Sequence, residues 1–524
     1  MASVLDPRRW ILSLLIALLA GCAGLPRDVQ RTASQALAPA ADTLLMTVAS
    51  ASLRQEEGVD ARSGLRLLPA GDQALEARVA LVRAAQKSVD AQYYQIADDA
   101  SGRQFLRELR DAGARGVRVR LLVDDLYAGG EDALLAGLAA QPGVQVRLFN
   151  PLAVRDGSVA KRALLSLHDF ARVNRRMHNK LLVADTAFAI SGGRNIADAY
   201  FERSEPANFI DMDVLSAGPV VAQMSAVFDN YWNSEQAYPV ESLASRDAQG
   251  EPARLSFDAR VEKQGPAPAA TRRDALGQTS VGAQLRRGRI ELTMAAVQVL
   301  ADEPRKAALE DASLEDGPVM QANLALLASA RSEVFVASPY FVPGQRGMQT
   351  LREVTDSQVR VSLMTNSLAT TDEPLVHFGY ARYRQALLDM GVSLYELMPR
   401  PALPEALAAG ASLGRLHAKL AVVDRRWLSI GSMNMDRRSA HSNTEMALVI
   451  DSPLLAGQVY DLLHAEKLPR SYRVRSADGD EAGRLQWVSQ EGDKEVVLAN
   501  EPNLKWGRRL RLSMLSMLVD EELL

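Results

Sequence analysis

Apolar positions along the first third of the chain alternate between two periods. From Asp72 to Ala85 they recur at helical spacing (Leu75, Val79, Val82), and from Val89 to Ile96 a short β-branched and aromatic run predicts a strand. A second helical stretch, Arg103 to Ala112, leads to the apolar strand Val117 to Val123, which ends in Asp124-Asp125. After a further helix comes the strand Val144 to Phe149. Helices alternating with short β-branched runs predict the α/β class.

The same order returns later. A helix from Val319 to Ala330 leads to Val334-Phe335-Val336-Ala337-Ser338-Pro339-Tyr340, then to the strand Val359 to Met364 with Thr365-Asn366-Ser367, a helix through Tyr383 to Met390, and the strand Val392 to Leu397. Gly116-Val117-Arg118-Val119-Arg120-Leu121 lines up with Gln358-Val359-Arg360-Val361-Ser362-Leu363, and Gly143-Val144 with Gly391-Val392. A repeat of about 240 residues is too long for a solenoid and fits two fused domains. The expected organisation is a tether over 22–62, a first domain over 63–240, a Pro-, Ala-, Gly- and Arg-rich linker or insertion over 241–288, a second domain over 289–470, and a tail over 471–524. The tail predicts a hairpin (Leu485 to Val488, turn, Glu495 to Ala499). It ends in the basic amphipathic stretch Leu504 to Val519, which suits either a membrane surface or a helix docked with its charges in water.

Composition narrows the class only a little. A hydrophobic content of 47% in 524 residues fits folded domains rather than disorder. The net charge of −4 speaks against binding nucleic acid through broad electrostatics, and nucleic acid is not an expected partner. One Cys excludes internal disulfides and Cys-rich metal sites. That Cys follows a basic start (Arg8, Arg9) and an apolar run from Trp10 to Ala20 that is too short to span a bilayer. Residues 1–21 therefore read as a signal peptide.

Both halves then reach the same pattern, H-x-K-x4-D: His178, Lys180 and Asp185, and again His417, Lys419 and Asp424. Fourteen residues past each His stands a Gly (Gly192, Gly431), and three beyond that an Asn (Asn195, Asn434). Each motif is expected on a strand followed by a turn and a second strand, His178 to Val183 then Phe188 to Ser191, and His417 to Val423 then Trp427 to Gly431. His and Lys two apart then share a face, while the Asp, an odd step away, falls at the turn. Two imidazoles supply a nucleophile and a proton donor. Two ammonium groups and two amides hold phosphate oxygens where charge develops, so the pattern points to phosphodiester chemistry without a metal or cofactor. Each imidazole needs a partner for its second nitrogen, and the expected acids are Asp211 and Glu445, each eight residues before a Pro (Pro219, Pro453).

At these residues the chain resembles the phospholipase D superfamily with both HKD motifs intact, over about 62–470, with motif regions about 172–199 and 411–438. Gly431-Ser432-Met433-Asn434-Met435-Asp436-Arg437-Arg438-Ser439 is similar to the family's second-motif signature, and Gly192-Gly193-Arg194-Asn195 to the first. Gln92-Tyr93-Tyr94, Asn174 to Lys180 and Thr365-Asn366-Ser367-Leu368 resemble the bacterial cardiolipin synthases of the C type. The resemblance implies two fused, pseudo-symmetric sandwich domains of mixed sheet flanked by helices. It implies His178, Lys180, Asp185, His417, Lys419 and Asp424 as the catalytic set, with His178 as nucleophile and His417 as general acid. It also implies phospholipid substrates and a phosphatidyl transfer that makes cardiolipin or a relative. Hydrolysis of a phospholipid or another phosphodiester is the alternative enzymatic reading, and a membrane-tethered scaffold the non-enzymatic one. Leu19-Ala20-Gly21-Cys22 resembles the bacterial lipobox, which implies lipidation at Cys22 and an exported protein anchored to the membrane facing the periplasm. Ala23 after the Cys points to the outer membrane.

Overall fold

The alternation of apolar runs and helices resolves into two copies of one sheet order. The computed structural model describes residues 24–26, 28–53, 62–155, 157–166, 169–244, 249–263, 273–308, 317–399, 412–477 and 483–502. The signal peptide, Cys22 and the basic stretch Leu504 to Val519 lie outside the described residues. In the first half the strands lie in the order β9 (Ala237–Pro239), β4 (Val144–Phe149), β3 (Arg118–Asp124), β2 (Ser88–Tyr93), β5 (Leu181–Ala184), β6 (Phe188–Gly192), β8 (Asp213–Ala217) and β1 (Ser63–Leu68). In the second the order is β18 (Ser471–Ser476), β13 (Ser393–Leu397), β12 (Arg360–Asn366), β11 (Glu333–Ala337), β15 (Leu420–Val423), β16 (Trp427–Gly431), β17 (Met446–Asp451) and β10 (Thr293–Ala301). Position for position the orders correspond. Central parallel strands (β2–β3–β4, β11–β12–β13) are flanked by an antiparallel hairpin carrying the end of each motif.

The two sheets join where β1 pairs antiparallel with β10, Ser63 opposite Ala295. Successive residues of a strand point to opposite faces, so each sheet can bury both. One face of the first sheet (Val89, Val119, Leu121, Leu182, Ile190) packs on helices Gly71–Ala84 and Ala100–Ala114. The equivalent face of the second (Val334, Val361, Leu363, Leu394) packs on helices Pro318–Ala328 and Gly344–Asp356. The remaining faces share a single core, in which Leu65, Leu181 and Val214 of one half meet Phe335, Leu428 and Ile450 of the other, with helices Pro219–Trp232 and Pro453–Leu462 built in. This common core holds the two motifs against each other.

Three expectations about boundaries change. The linker holds a helix, Gly250–Val261, whose Phe257 and Val261 enter the first core and whose Ala253 carbonyl abuts Gly137. Residues given to the tether are docked, not free: helix Leu44–Leu53 buries Leu45, Val48 and Ala49, and Ala36 N–H donates to Asp229. β18 begins past 470 yet closes the second sheet, so the tail proper starts after it. The hairpin there is β19 (Leu485–Glu491) and β20 (Lys494–Leu498), and β19 extends the sheet from β18. The other two strands, β7 (Ala207–Ile210) and β14 (Leu413–Leu416), form a parallel pair between the halves.

Candidate active site

The regular strand of each motif starts later than the spacing predicts. Leu181 and Leu420 open β5 and β15, while His178 to Lys180 and His417 to Lys419 are extended segments in transit. The reason is a change of partner. Before the motif the backbone pairs with the opposite half: His178 N–H donates to the Thr444 carbonyl at 2.9 Å and Thr444 N–H to the Arg176 carbonyl at 2.9 Å. In the mirrored place β14 runs beside β7, and His417 N–H donates to the Ile210 carbonyl at 2.8 Å. After the motif the chain joins its own sheet. Each Lys turns its Nζ back onto the carbonyl of its own His, at 2.6 Å for Lys180 and 2.5 Å for Lys419.

That crossing places the acids. Asp211 and Glu445 lie just before β8 and β17, on the segments that run beside the other half's motif. Glu445 Oε2 is 3.0 Å from His178 Nδ1, and Asp211 Oδ2 is 2.6 Å from His417 Nδ1. Each imidazole is thus oriented by the carboxylate of the opposite half, with Nε2 left to act. Support for the two acids differs. Glu445 also accepts from the hydroxyls of Ser432 and Ser439, the latter at 2.8 Å. At the position equivalent to Ser432 stands Gly193, where an added Cβ would lie 2.2 Å from Asp211 Oδ1.

The motif Asp residues, placed in the catalytic set by the resemblance, leave it. Asp185 and Asp424 each open a tight hairpin turn in which two successive residues have positive φ (50° and 53°; 52° and 50°). The turns close through Ala187 N–H to Ala184 O and Arg426 N–H to Val423 O, both 3.0 Å. Such type I′ turns favour Asp or Asn. Their carboxylates accept backbone N–H groups where β2 and β11 start: Gln86, Lys87 and Ser88 for Asp185, and Arg331, Ser332 and Glu333 for Asp424. They pin sheet edges and touch no imidazole.

His178, His417, Asn195 and Asn434 line one cavity of about 440 Å³. Asn195 donates to the Tyr200 hydroxyl at 3.0 Å, while Oδ1 of Asn195 and of Asn434 are buried without a hydrogen-bond partner. A buried polar atom left unpaired costs free energy, so these two oxygens are acceptors open to a hydrogen-bond donor in the cavity. Tyr94 meets the His178 ring edge-on at 5.0 Å and Tyr200 does the same to His417, also at 5.0 Å. Lys180 and Lys419 are buried beneath the imidazoles.

Burial sets the charge states. It lowers His178 to about 4 against the pull of Glu445, with Lys180 pushing the same way, so the ring is neutral near pH 7. Burial and Lys419 also lower His417, while Asp211 opposes them. Burial would raise Asp211, yet the His417 contact overcomes it and holds the carboxyl down at about 2. Lys419 is lowered to about 8 by burial, against the pull of Asp211, and burial lowers Lys180 well below the usual ammonium range.

Sequence reasoning missed several residues. Asp124 Oδ2 accepts from Met177 N–H at 2.8 Å, and Asn366, its counterpart at the end of β12, makes two 2.9 Å bonds to the backbone of Leu416. Both hold the residue preceding a catalytic His. The available signal was two polar residues, each ending a matched apolar strand. Buried His377, Glu396 and Glu501 also cluster, but Arg384 lies 2.8 Å from Glu396 and 2.6 Å from Glu501 and supplies the positive charge there.

Two half-sites of His, Lys and Asn, each completed by an acid from the other half, define a phospholipase D-type phosphodiester site. The chain belongs to the family described as cardiolipin synthase, PLD-like domain, whose model matches residues 79–232 and 324–465. Over 463 residues it is 35% identical to cardiolipin synthase C of Escherichia coli (strain K12), covering 86% of this chain and 94% of that protein. Over 431 residues it is 26% identical to cardiolipin synthase A of Pseudomonas fluorescens, covering 81% of this chain and 73% of the relative. The solved structure of phosphatidylserine synthase from Haemophilus influenzae shares the fold, with a TM-score of 0.50 at 12% identity over 78% of this chain and 87% of the other.

Proposed function

We propose that the chain is a phosphatidyltransferase that moves a phosphatidyl group from a phospholipid to an alcohol, forming cardiolipin or a related phospholipid through a phosphohistidine on His178. The observation that carries this reading is the reciprocal pairing of His178 with Glu445 and His417 with Asp211 through Nδ1, which leaves Nε2 of His178 and Nε2 of His417, the latter 3.5 Å from the Tyr200 hydroxyl, on the side away from the acids for one phosphorus. In the first step the Nε2 lone pair of His178 attacks phosphorus, the bond to the leaving alcohol breaks, and protonated His417 gives its proton to that alkoxide. Glu445 then balances the positive charge of the phosphorylated ring. In the second step His417 takes the proton of the acceptor alcohol, the new P–O bond forms and the N–P bond breaks. Lys180, Lys419, Asn195 and Asn434 hold the non-bridging oxygens. Because Asp211 and Glu445 are engaged by the rings, the chemistry uses side chains of the chain alone.

The assignment of His178 as nucleophile is supported by its lowering to about 4, which keeps the Nε2 lone pair available near pH 7, while Asp211, 2.6 Å from His417 Nδ1, opposes the lowering of that ring and supports its protonated form. The enzyme with mixed phospholipids, its products read by mass, tests the reaction: cardiolipin or another phosphatidyl alcohol is expected, and phosphatidic acid alone means a hydrolase. Exported, lipid-anchored placement at Cys22, in the outer membrane by Ala23, is part of the proposal and rests on Leu19-Ala20-Gly21-Cys22. Among the described residues no helix is long and apolar enough to cross a membrane. The Cys22→Ala variant should leave the membrane fraction and take up no labelled lipid.

A further inference from the structure

The pseudo-symmetry of the cavity breaks at one pair of loops. Each follows the strand that bears Asp124 or Asn366. In the first half the next residue, Asp125, is fully spent: its oxygens meet Arg155 at 2.6 Å, Arg162 at 2.5 Å and Leu152 N–H at 2.8 Å, and the loop sends Tyr127 to the cavity. In the second half the loop delivers Asp372 and Glu373 instead. Oδ1 of Asp372 is shielded from solvent and accepts no hydrogen bond.

The position of this carboxylate is fixed. Thr370 and Thr371 N–H both donate to the Ser367 carbonyl at 3.0 Å, and the Thr370 hydroxyl reaches Leu397 O. Helix Pro374–Ala381 begins directly after it and is tied by His377 to Glu501 at 2.8 Å. Asp372 lines the same cavity as His417, beside Tyr340, whose hydroxyl lies within hydrogen-bonding reach of its carboxylate while Oδ1 stays without a partner. The unpartnered Oδ1 atoms of Asn195 and Asn434, both nine-tenths or more buried in the same cavity, mark it independently as a ligand site.

We infer that Asp372 is the specificity-determining residue of the alcohol subsite, its free Oδ1 accepting a hydrogen bond from a second hydroxyl of a polyol head group whose reacting oxygen lies at His417. This rests on the phosphatidyltransfer reading above. A monohydric alcohol has no second hydroxyl for that oxygen and leaves a buried acceptor unpaired, so polyols are selected over monohydric alcohols. The ammonium of an amino alcohol would seek the same atom, and the test separates the two.

The full chain is incubated in detergent micelles of phosphatidylglycerol with equimolar ¹³C-glycerol, 1-propanol and 2-aminoethanol, and the phosphatidyl alcohols are read by mass. Labelled phosphatidylglycerol should exceed phosphatidylpropanol for the wild type, and Asp372→Leu, which offers no acceptor, should cut that ratio by about ten-fold. Being a ratio within one preparation, it is insensitive to the folded fraction. An unchanged ratio overturns the inference. So does a selective loss of transfer to 2-aminoethanol, which would make Asp372 a reader of cations, or an equal effect from Glu373→Gln, which would assign selectivity to the general negative field. A wild type that forms no phosphatidyl alcohol at all sinks the phosphatidyltransfer reading and this one with it.

Discussion

Glu445, from the second half of the chain, holds Nδ1 of His178, from the first, at 3.0 Å. The bond joins residues 267 positions apart, and with Asp211 on His417 it means that each half supplies the acid on the other half's ring. Glu445→Gln keeps the size and loses the charge that would support the proposed phosphorylated imidazole. Turnover should fall about 10–100-fold with substrate KM little changed. Steady-state kinetics on a phospholipid donor check this, and a change confined to KM would contradict the orienting role.

The two histidines should separate by leaving group. His178→Ala should give no acid-labile, base-stable phosphoprotein and no turnover on any substrate. His417→Ala should lose about 10²–10⁴-fold on a phospholipid, whose alkoxide needs a proton, yet recover most of that on bis-p-nitrophenyl phosphate, whose aryloxide does not. Recovery by His178→Ala in place of His417→Ala would reverse the assignment.

Much of this site was legible because duplication repeats the evidence. Strands such as Val144–Phe149 sit where the apolar run ends, and the two His, Lys and Asn meet in one cavity because two equivalent chains fold around a shared core. What the spacing did not carry is the exchange across the pseudo-twofold. Asp211 and Glu445 stand out as acids before strands, but only the β7–β14 pairing and the Met177–Thr444 bridge decide which His each serves. The same exchange delays β5 to Leu181, since a strand changing partners loses its ladder for three residues. Gly250–Val261 was hidden by composition: in a Pro- and Arg-rich stretch three apolar residues, Ala253, Phe257 and Val261, suffice to dock a helix. Asp372 has no motif around it, and only its free oxygen in the cavity distinguishes it.

Asp185 and Asp424 should behave as structural residues. Asp185→Ala strips three backbone N–H groups of their acceptor at the start of β2, a cost of about 1–3 kcal/mol in folding stability. The loss should appear in urea midpoint while turnover per folded molecule stays within a few fold. A collapse of turnover at full stability would return the residue to the chemistry.

Gly193 should tolerate nothing larger. A serine there would copy Ser432 of the other half, yet its Cβ would enter the space of Asp211 Oδ1, at 2.2 Å. Moving the carboxylate breaks the 2.6 Å bond to His417 and withdraws the support of the imidazolium. Gly193→Ser should therefore lower turnover at least about ten-fold, and a p-nitrophenyl leaving group should relieve the defect as it does for His417→Ala. A loss of equal size on both substrates would mean a general distortion.

Activity and stability should diverge on the alkaline side. The alkaline side carries two groups: His417, the proposed proton donor, is itself lowered and goes neutral first, and Lys419, buried and lowered to about 8, loses the charge proposed to hold the phosphate oxygens as pH rises through about 8, so kcat/KM should fall in two steps. Folding responds with the opposite sign. The unfolded chain keeps its lysine protonated to about 10.4, so between about 8 and that value it binds more protons than the native state, and this group's contribution to stability rises with pH. The acid limb belongs to His178, whose lone pair is lost as pH falls toward about 4. Lys419→Arg, which stays protonated throughout, should retain a low rate but lose the step near pH 8 of its pH–rate profile, leaving the earlier step that belongs to His417. An unaltered limb near pH 8 in that variant would move the titration to another group.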